Sequence, residues 1–86
     1  MVRQKYSIKM EEVITTLTER EEEVLVYLIQ GYTNKQIAEK LIITPATVKA
    51  HVSSILHKTG VKNRLELALY ATAHGYSNPH LDSKRP

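Results

Sequence analysis

Residues 33–60 read TNKQIAEKLIITPATVKAHVSSILHKTG and contain the start signals of two consecutive helices. Thr33 and Gln36 have the spacing of a capping box, in which each side chain accepts the backbone N–H of the other residue. Thr44 and Pro45 are typical of an N-cap followed by proline at the first helical position, where the missing N–H costs nothing. The stretch therefore predicts a short helix over 34–41 and a longer helix over 45–59, which stops at Gly60.

Two helices joined by a turn of about three residues are typical of a helix-turn-helix. Ala38 is small enough to let the two helices approach closely. One side of the longer helix is predicted to be buried, and it consists of Val48, Val52, Ile55, Leu56 and Thr59. The other side is predicted to face solvent, and it carries Lys49, Ala50, Ser53 and His57. Such a helix, braced by the first, can place one face in a DNA major groove about 12 Å wide.

A further helix precedes this pair. Thr18 and Glu21 repeat the capping-box spacing, and Gly31 can end the helix in the left-handed conformation. We predict that the acidic run over 19–23 is a solvated helix start, with Arg20 paired to one of its glutamates, rather than a site of acid–base catalysis. The apolar stripe of this helix is Val24, Leu25, Leu28 and Ile29.

A last helix follows the pair. Asn63 and Glu66 are a third capping pair, and the helix is predicted to run to His74 and to end at Gly75. Strand signals are absent, since there is neither an alternating apolar run nor a hairpin dipeptide. The sequence therefore predicts an all-α four-helix bundle. Its predicted parts are a linker or extra helical turn over 1–16, the helix-turn-helix domain over 17–76 and a tail over 77–86.

Composition restricts the possible functions of these 86 residues. The chain has no cysteine, which excludes disulfides and thiolate metal sites, and it has no apolar run long enough for a membrane span or signal peptide. We predict a soluble, cytoplasmic domain that needs no cofactor. The net charge of +3 divides unevenly, because residues 1–43 carry −1 and residues 44–86 carry +4. Either chance or a phosphate-facing surface in the second half would explain this division.

The stretch LTEREEEVLVYLIQGYTNKQIAEKLIITPATVKAHVSSILHKTGVKNRLELALYA closely resembles the LuxR/GerE-type helix-turn-helix domain of bacterial transcription factors. The resemblance rests on an ordered set of motifs: the opening L-T-x-R-E-x-E-V-L, the segment G-x-[ST]-N-K-x-I-A and T-V-K-x-H. It implies a domain that binds double-stranded DNA as a homodimer, as in the output domains of many response regulators. One departure is Thr59, where the family usually has leucine.

Site residues follow from the resemblance at matching positions. The positions that read bases in the family are Lys49, Ala50 and Ser53. Their chemistry also suits a major groove, since lysine can donate to guanine, alanine can contact a thymine methyl and serine can hydrogen-bond to bases of either strand. Phosphate-binding positions are Thr33, Asn34, Lys35, Thr47, His51 and Lys58. Helix N-termini suit phosphates independently, because their N–H groups and dipole favour anions.

The last helix is apolar on nearly every side, which predicts burial on nearly every side. We expect Leu65, Ala68 and Leu69 to pack on the bundle. The remaining faces are predicted to form a homodimer contact through Leu67, Tyr70, Ala71 and His74, with Ala73. The alternative is a contact with the N-terminal residues of the same chain.

Other kinds of site find little support. The four histidines, at 51, 57, 74 and 80, lack the cysteines or paired carboxylates of a metal site, and no orienting acid completes a triad with Ser53 or Ser54. We therefore predict that the protein is not an enzyme. The rival hypothesis is a helical protein-interaction module, an adaptor that contacts a partner such as RNA polymerase.

Overall fold

A computed structural model describes residues 16–73 of the chain. The described residues form helices and turns without strands, so the all-α prediction is confirmed. Predictions for residues 1–15 and 74–86, including His74, Gly75 and the tail, lie outside the described part. The helices are α1 (Glu19–Ile29), α2 (Asn34–Leu41), α3 (Pro45–Thr59) and α4 (Arg64–Ala73).

The predicted capping residues begin the first two helices. At α1, the Thr18 hydroxyl accepts the Glu21 N–H at 3.0 Å, and the Glu21 carboxylate accepts the Thr18 N–H at 2.9 Å. At α2, the Gln36 N–H donates to the Thr33 hydroxyl at 3.1 Å, and the Thr33 N–H donates to the Gln36 side chain at 2.8 Å. Both capping boxes are therefore confirmed, and each satisfies N–H groups that the helix leaves unpaired.

The later helices begin with single caps. At α3, the Thr44 hydroxyl accepts the Thr47 N–H at 3.1 Å, with proline at the first helical position as predicted. At α4, the Asn63 side chain accepts the Glu66 N–H at 2.9 Å. The Glu66 carboxylate reaches back to the Lys62 N–H, at 3.1 Å. Side-chain oxygens of the predicted residues thus begin all four described helices.

Left-handed residues follow or end three of the helices. Gly31, just beyond the C-cap of α1, has φ +92°, and Gly60, the C-cap of α3, has φ +80°. The C-cap of α2 is Ile42, which has φ +57° although it is β-branched and 89% exposed. A branched side chain is disfavoured in this region by contact with its own backbone. The turn between α2 and α3 therefore contains a strained residue, and burial of its side chain does not offset the strain.

One apolar core joins the helices. Helix α1 packs against α3 and α4, and α3 also packs against α2. Most side chains of the predicted inner sides of α1 and α3 are buried in it, while Ile29 and Leu56 are half-buried against it. Its members are Leu17, Val24, Leu25, Leu28, Ile37, Ala38, Val48, Val52, Ile55, Val61, Leu67, Tyr70 and Ala71. In the described part of the chain, no helix has the length and apolarity needed to cross a membrane.

The prediction for α4 was wrong about which face is buried. Leu67 and Ala71 are completely buried and Tyr70 is 5% exposed, so these three side chains belong to the core of one protomer. Leu65 and Leu69, predicted to pack on the bundle, are 68% and 61% exposed. Because α4 is apolar all round, its sequence could not show which face meets α1. The predicted dimer contact through Leu67, Tyr70 and Ala71 is corrected accordingly.

Candidate nucleic-acid interface

The solvent face of α3 carries the three predicted base-reading residues. Lys49, Ala50 and Ser53 are exposed. On the reverse side of the same helix, Val48 and Ile55 are completely buried. Helical periodicity accounts for this separation, because residues three and four apart share one face. The arrangement places a donor, a methyl group and a hydroxyl together on one accessible surface.

The start of α2 supplies further polar groups. Thr33 and Lys35 are exposed, and Asn34 is half-buried. The Arg64 guanidinium, at the start of α4, donates to the Asn34 side-chain oxygen and to the Tyr32 carbonyl. Because the Asn34 oxygen accepts from arginine, its NH₂ is the part of the amide that can donate to an anion. Arg64 thus links the start of α4 to the start of α2.

Arg64 is a residue whose role the sequence did not indicate. Its partners lie 30 and 32 residues earlier in the chain. Burial lowers the pKa of its guanidinium below the usual value. An arginine still remains charged at physiological pH. No local pattern marks such a residue, because its contacts exist only after α2 and α4 have both packed against α3.

Thr47 and His51 lie on the first half of α3. Thr47 is exposed, and its hydroxyl is 2.9 Å from that of Thr44, while His51 is half-buried. Thr47 lies in the first turn of α3, where the helix dipole favours an anion, and His51 lies about one turn further along the helix. The remaining predicted phosphate ligand, Lys58, lies near the other end of α3 and has different surroundings.

The Glu21 carboxylate joins α1 to α3. It accepts the Ser54 hydroxyl at 2.6 Å and the Lys58 ammonium at 2.7 Å, in addition to the Thr18 N–H. The Lys58 ammonium also donates to the Thr16 carbonyl at 2.8 Å. Glu21 is only 5% exposed, so the prediction of a solvated acidic run is wrong at this residue. Its burial is tolerated because the charge is paired and hydrogen-bonded.

These contacts change the acidity of Glu21. Burial alone would raise the pKa of its carboxyl group, but hydrogen bonds from Lys58, Ser54 and the Thr18 N–H, together with the Lys58 charge, lower the pKa to about 2. The carboxylate is therefore ionised throughout the neutral range. Glu19 and Glu23 are exposed as expected and Arg20 pairs with Glu23 at 3.1 Å, whereas Glu22 is half-buried.

Thr59, the departure from the family pattern, is 2% exposed at the end of α3. Its hydroxyl donates to the Leu56 carbonyl at 3.2 Å and accepts the Val61 N–H at 3.3 Å. The buried hydroxyl is therefore satisfied, and it bonds the residue that follows Gly60. In residues 16–73, no group of three or more histidines and carboxylates is placed to hold a metal ion.

The elements together define a helix-turn-helix, with α2 bracing α3 and the polar face of α3 turned to solvent. A model of the family described as bacterial regulatory proteins, luxR family, matches residues 15–71. The chain belongs to this family, whose helix-turn-helix is a DNA-binding domain of transcription regulation.

Relatives in two bacterial genera share this segment. The transcriptional regulatory protein LnrK of Bacillus subtilis is 54% identical over 61 residues, which are 71% of this chain and 28% of LnrK. The response regulator protein VraR of Staphylococcus aureus is 46% identical over 66 residues, or 77% of this chain and 32% of VraR. VraR of Staphylococcus epidermidis has the same identity and coverage. The chain thus spans about a third of the length of these relatives.

Proposed function

We propose that this domain binds double-stranded DNA in a sequence-specific manner, with α3 in the major groove. The observation that carries the proposal is the exposed set of Lys49, Ala50 and Ser53 on a helix whose reverse side is buried in the core. Lysine can donate to guanine O6 and N7, the alanine methyl can contact thymine, and the serine hydroxyl can bond to base edges. A groove-binding helix needs this combination of a polar outer face and a firmly packed inner face.

The phosphate contacts are proposed to lie around this helix. Thr33 and Lys35, at the exposed start of α2, and Thr47, in the first turn of α3, combine side-chain donors with helix N-termini. The Asn34 NH₂ and His51 are the further candidates on the same two helices. Such contacts fix the register of a protein on the duplex, while contacts to base edges read the sequence.

The domain is proposed to act as a homodimer on DNA, through the solvent face of α4. Leu65 and Leu69 are one helical turn apart, and both are more than half exposed. Two exposed leucines on one face are suited to a twofold contact, in which the same surface of each protomer meets the other. A dimer of this kind would read two half-sites about 34 Å apart, one turn of the duplex.

The domain is proposed to take part in the control of transcription, since LnrK is named a transcriptional regulatory protein and VraR a response regulator protein.

Titration of duplex DNA across a series of salt concentrations tests the proposal. A duplex selected from a random library should bind more tightly than a scrambled one, and log K should fall linearly with log salt as counterions are released. Binding that does not weaken with salt would reject DNA as the partner and favour the adaptor hypothesis, with a protein partner such as RNA polymerase.

The dimer has a separate test. The double variant Leu65→Gln/Leu69→Gln changes no charge, so it leaves the phosphate contacts electrostatically unaltered. We expect it to fold and to bind a duplex with one half-site normally, but to lose the additional affinity for a duplex with two half-sites. Equal affinities of parent and variant for the two-half-site duplex would reject this face as the dimer contact.

A further inference from the structure

Lys58 is directed towards α1 by two contacts. Its ammonium lies 2.7 Å from the Glu21 carboxylate and 2.8 Å from the Thr16 carbonyl. The side chain of Glu21 is 6% exposed and that of Lys58 is 29% exposed. Transfer of this ammonium to a DNA phosphate would leave the Glu21 charge buried without its cation. Removing one partner of a buried ion pair is strongly unfavourable.

Ser54 lies one helical turn before Lys58 and contacts the same carboxylate. Its hydroxyl donates to Glu21 Oε2 at 2.6 Å, while the lysine donates to Oε1. Glu21 itself is held at the start of α1 by the capping box with Thr18. One carboxylate therefore fixes two successive turns of α3 against one point of α1.

This contact restrains the rotation of α3 about its own axis. Apolar burial of Val52 and Ile55 favours contact with the core but is not directional, whereas hydrogen bonds require defined distances and angles. For a helix of about 5–6 Å radius, a rotation of roughly 20° displaces an outer side chain by roughly 2 Å. Such a displacement exceeds what a hydrogen bond to a base edge tolerates. Ser53, adjacent to Ser54, lies on the exposed side that this rotation would move.

We propose that Glu21, Ser54 and Lys58 are positioning residues that orient α3 for base reading, and that Lys58 acts through Glu21 and not as a phosphate ligand. The inference rests on the proposed DNA-binding function and deepens it, because it assigns the accuracy of sequence reading to a contact on the far side of the reading helix. It also revises the phosphate-binding role that the family resemblance implied for Lys58.

The slope of log K against log salt separates the two roles of a lysine. Each phosphate neutralised contributes about 0.9 to this slope on duplex DNA. Lys58→Met should leave the slope unchanged, whereas Lys35→Met, at an exposed lysine of α2, should lower it by about 0.9. A loss of about 0.9 in Lys58→Met would overturn the proposal. The double variant Glu21→Gln/Lys58→Met, which leaves no unpaired buried charge, provides the same measurement if the single variant fails to fold.

Ser54→Ala tests positioning without any change of charge. We expect the ratio of affinities for the selected and scrambled duplexes to fall about tenfold, with an unaltered salt slope, at a temperature well below unfolding. Ser53→Ala is the matched control, since it removes a hydroxyl from the exposed side and should lose discrimination at one base pair alone. An unchanged affinity ratio in Ser54→Ala would overturn the positioning role. A parent domain without salt-dependent duplex binding would instead overturn the proposed function, and this inference with it.

Discussion

Helices α3 and α4 present opposite chemistry to solvent. The outer face of α3 carries Lys49 and Ser53, whereas the outer face of α4 carries Leu65 and Leu69. Their inner faces also differ. Helix α3 is held by apolar packing and by polar contacts to Glu21, while the inner face of α4 consists of Leu67, Tyr70 and Ala71.

The difference shows how one small domain can offer two kinds of surface. A polar outer face suits a hydrated, charged partner, and an exposed apolar face suits another protein surface. The directional contacts lie under α3, where a rotation would spoil hydrogen bonds to base edges. On the inner face of α4, Leu67 and Ala71 are held by apolar burial, and hydrogen bonds from Arg64 to Asn34 and Tyr32 fix the start of the helix.

Leu67 provides the most direct test of which face of α4 is buried in the core. Leu67→Ala should lower the free energy of unfolding by about 2–5 kcal/mol, because it leaves a cavity in the core. Leu65→Ala removes the same atoms from an exposed position and should change it by less than about 0.5 kcal/mol. Urea denaturation of the two variants measures the contrast. If Leu65→Ala destabilised the fold more than Leu67→Ala, the buried face of α4 would be the one predicted from the sequence, which contains Leu65 and Leu69.

The contacts of Glu21 with Ser54 and Lys58, which fix α3 against α1, should weaken in acid, whereas the apolar packing of α4 should not. With a pKa of about 2 against an ordinary 4.5, ionised Glu21 stabilises the fold above pH 4.5, and this contribution is lost as the pH falls towards 2. The shift corresponds to about 3 kcal/mol. Glu21→Gln should therefore be less stable than the parent at pH 7, with the difference shrinking below pH 4.5 in denaturation curves. If the stability difference between Glu21→Gln and the parent did not depend on pH, the lowered pKa of Glu21 would be contradicted. Glu19→Gln, at an exposed glutamate of the same turn, is the control.

The outer face of α3 is tested at Lys49. Lys49→Ala should weaken binding to the selected duplex by about 1–3 kcal/mol and relax discrimination at one base pair. Titrations against duplexes with single base-pair changes measure both effects. Lys40→Ala, at an exposed lysine in the last turn of α2, is the control for loss of charge. Equal weakening on every duplex would make Lys49 a phosphate contact.

The smallest expected effect lies at the turn that sets α3 against α2. Ile42→Asn should raise the free energy of unfolding by about 1 kcal/mol, because asparagine tolerates the left-handed region and the isoleucine side chain is exposed. Ile43→Asn, at the half-buried neighbour, should lower it. Thermal unfolding compares the two variants, and destabilisation by Ile42→Asn would show that the exposed isoleucine is not a source of strain.

Local signals account for the helices that were predicted correctly. The capping threonines at 18, 33 and 44 and the glycines at 31 and 60 act on their own neighbours, so their effects are readable along the chain. The exposed side of α3 was equally readable, because its apolar residues alternate with polar ones at helical spacing. The exposure of Lys49, Ala50 and Ser53 was therefore predictable from the sequence, while their base-reading role stays a proposal; the comparisons with relatives support the same family.

Within residues 16–73, the sequence by itself determined where the four helices begin, where α1, α2 and α3 end and which face of α3 is polar, since all of these depend on residues within a turn or two of one another. Only the tertiary structure decided which face of α4 is buried, and only it brought Lys58 and Ser54 to Glu21 and Arg64 to Asn34. The physical reason is that these outcomes depend on how helices distant in the chain pack together. An apolar helix has several faces that could be buried, and a charged side chain acquires its partner only when that packing is complete.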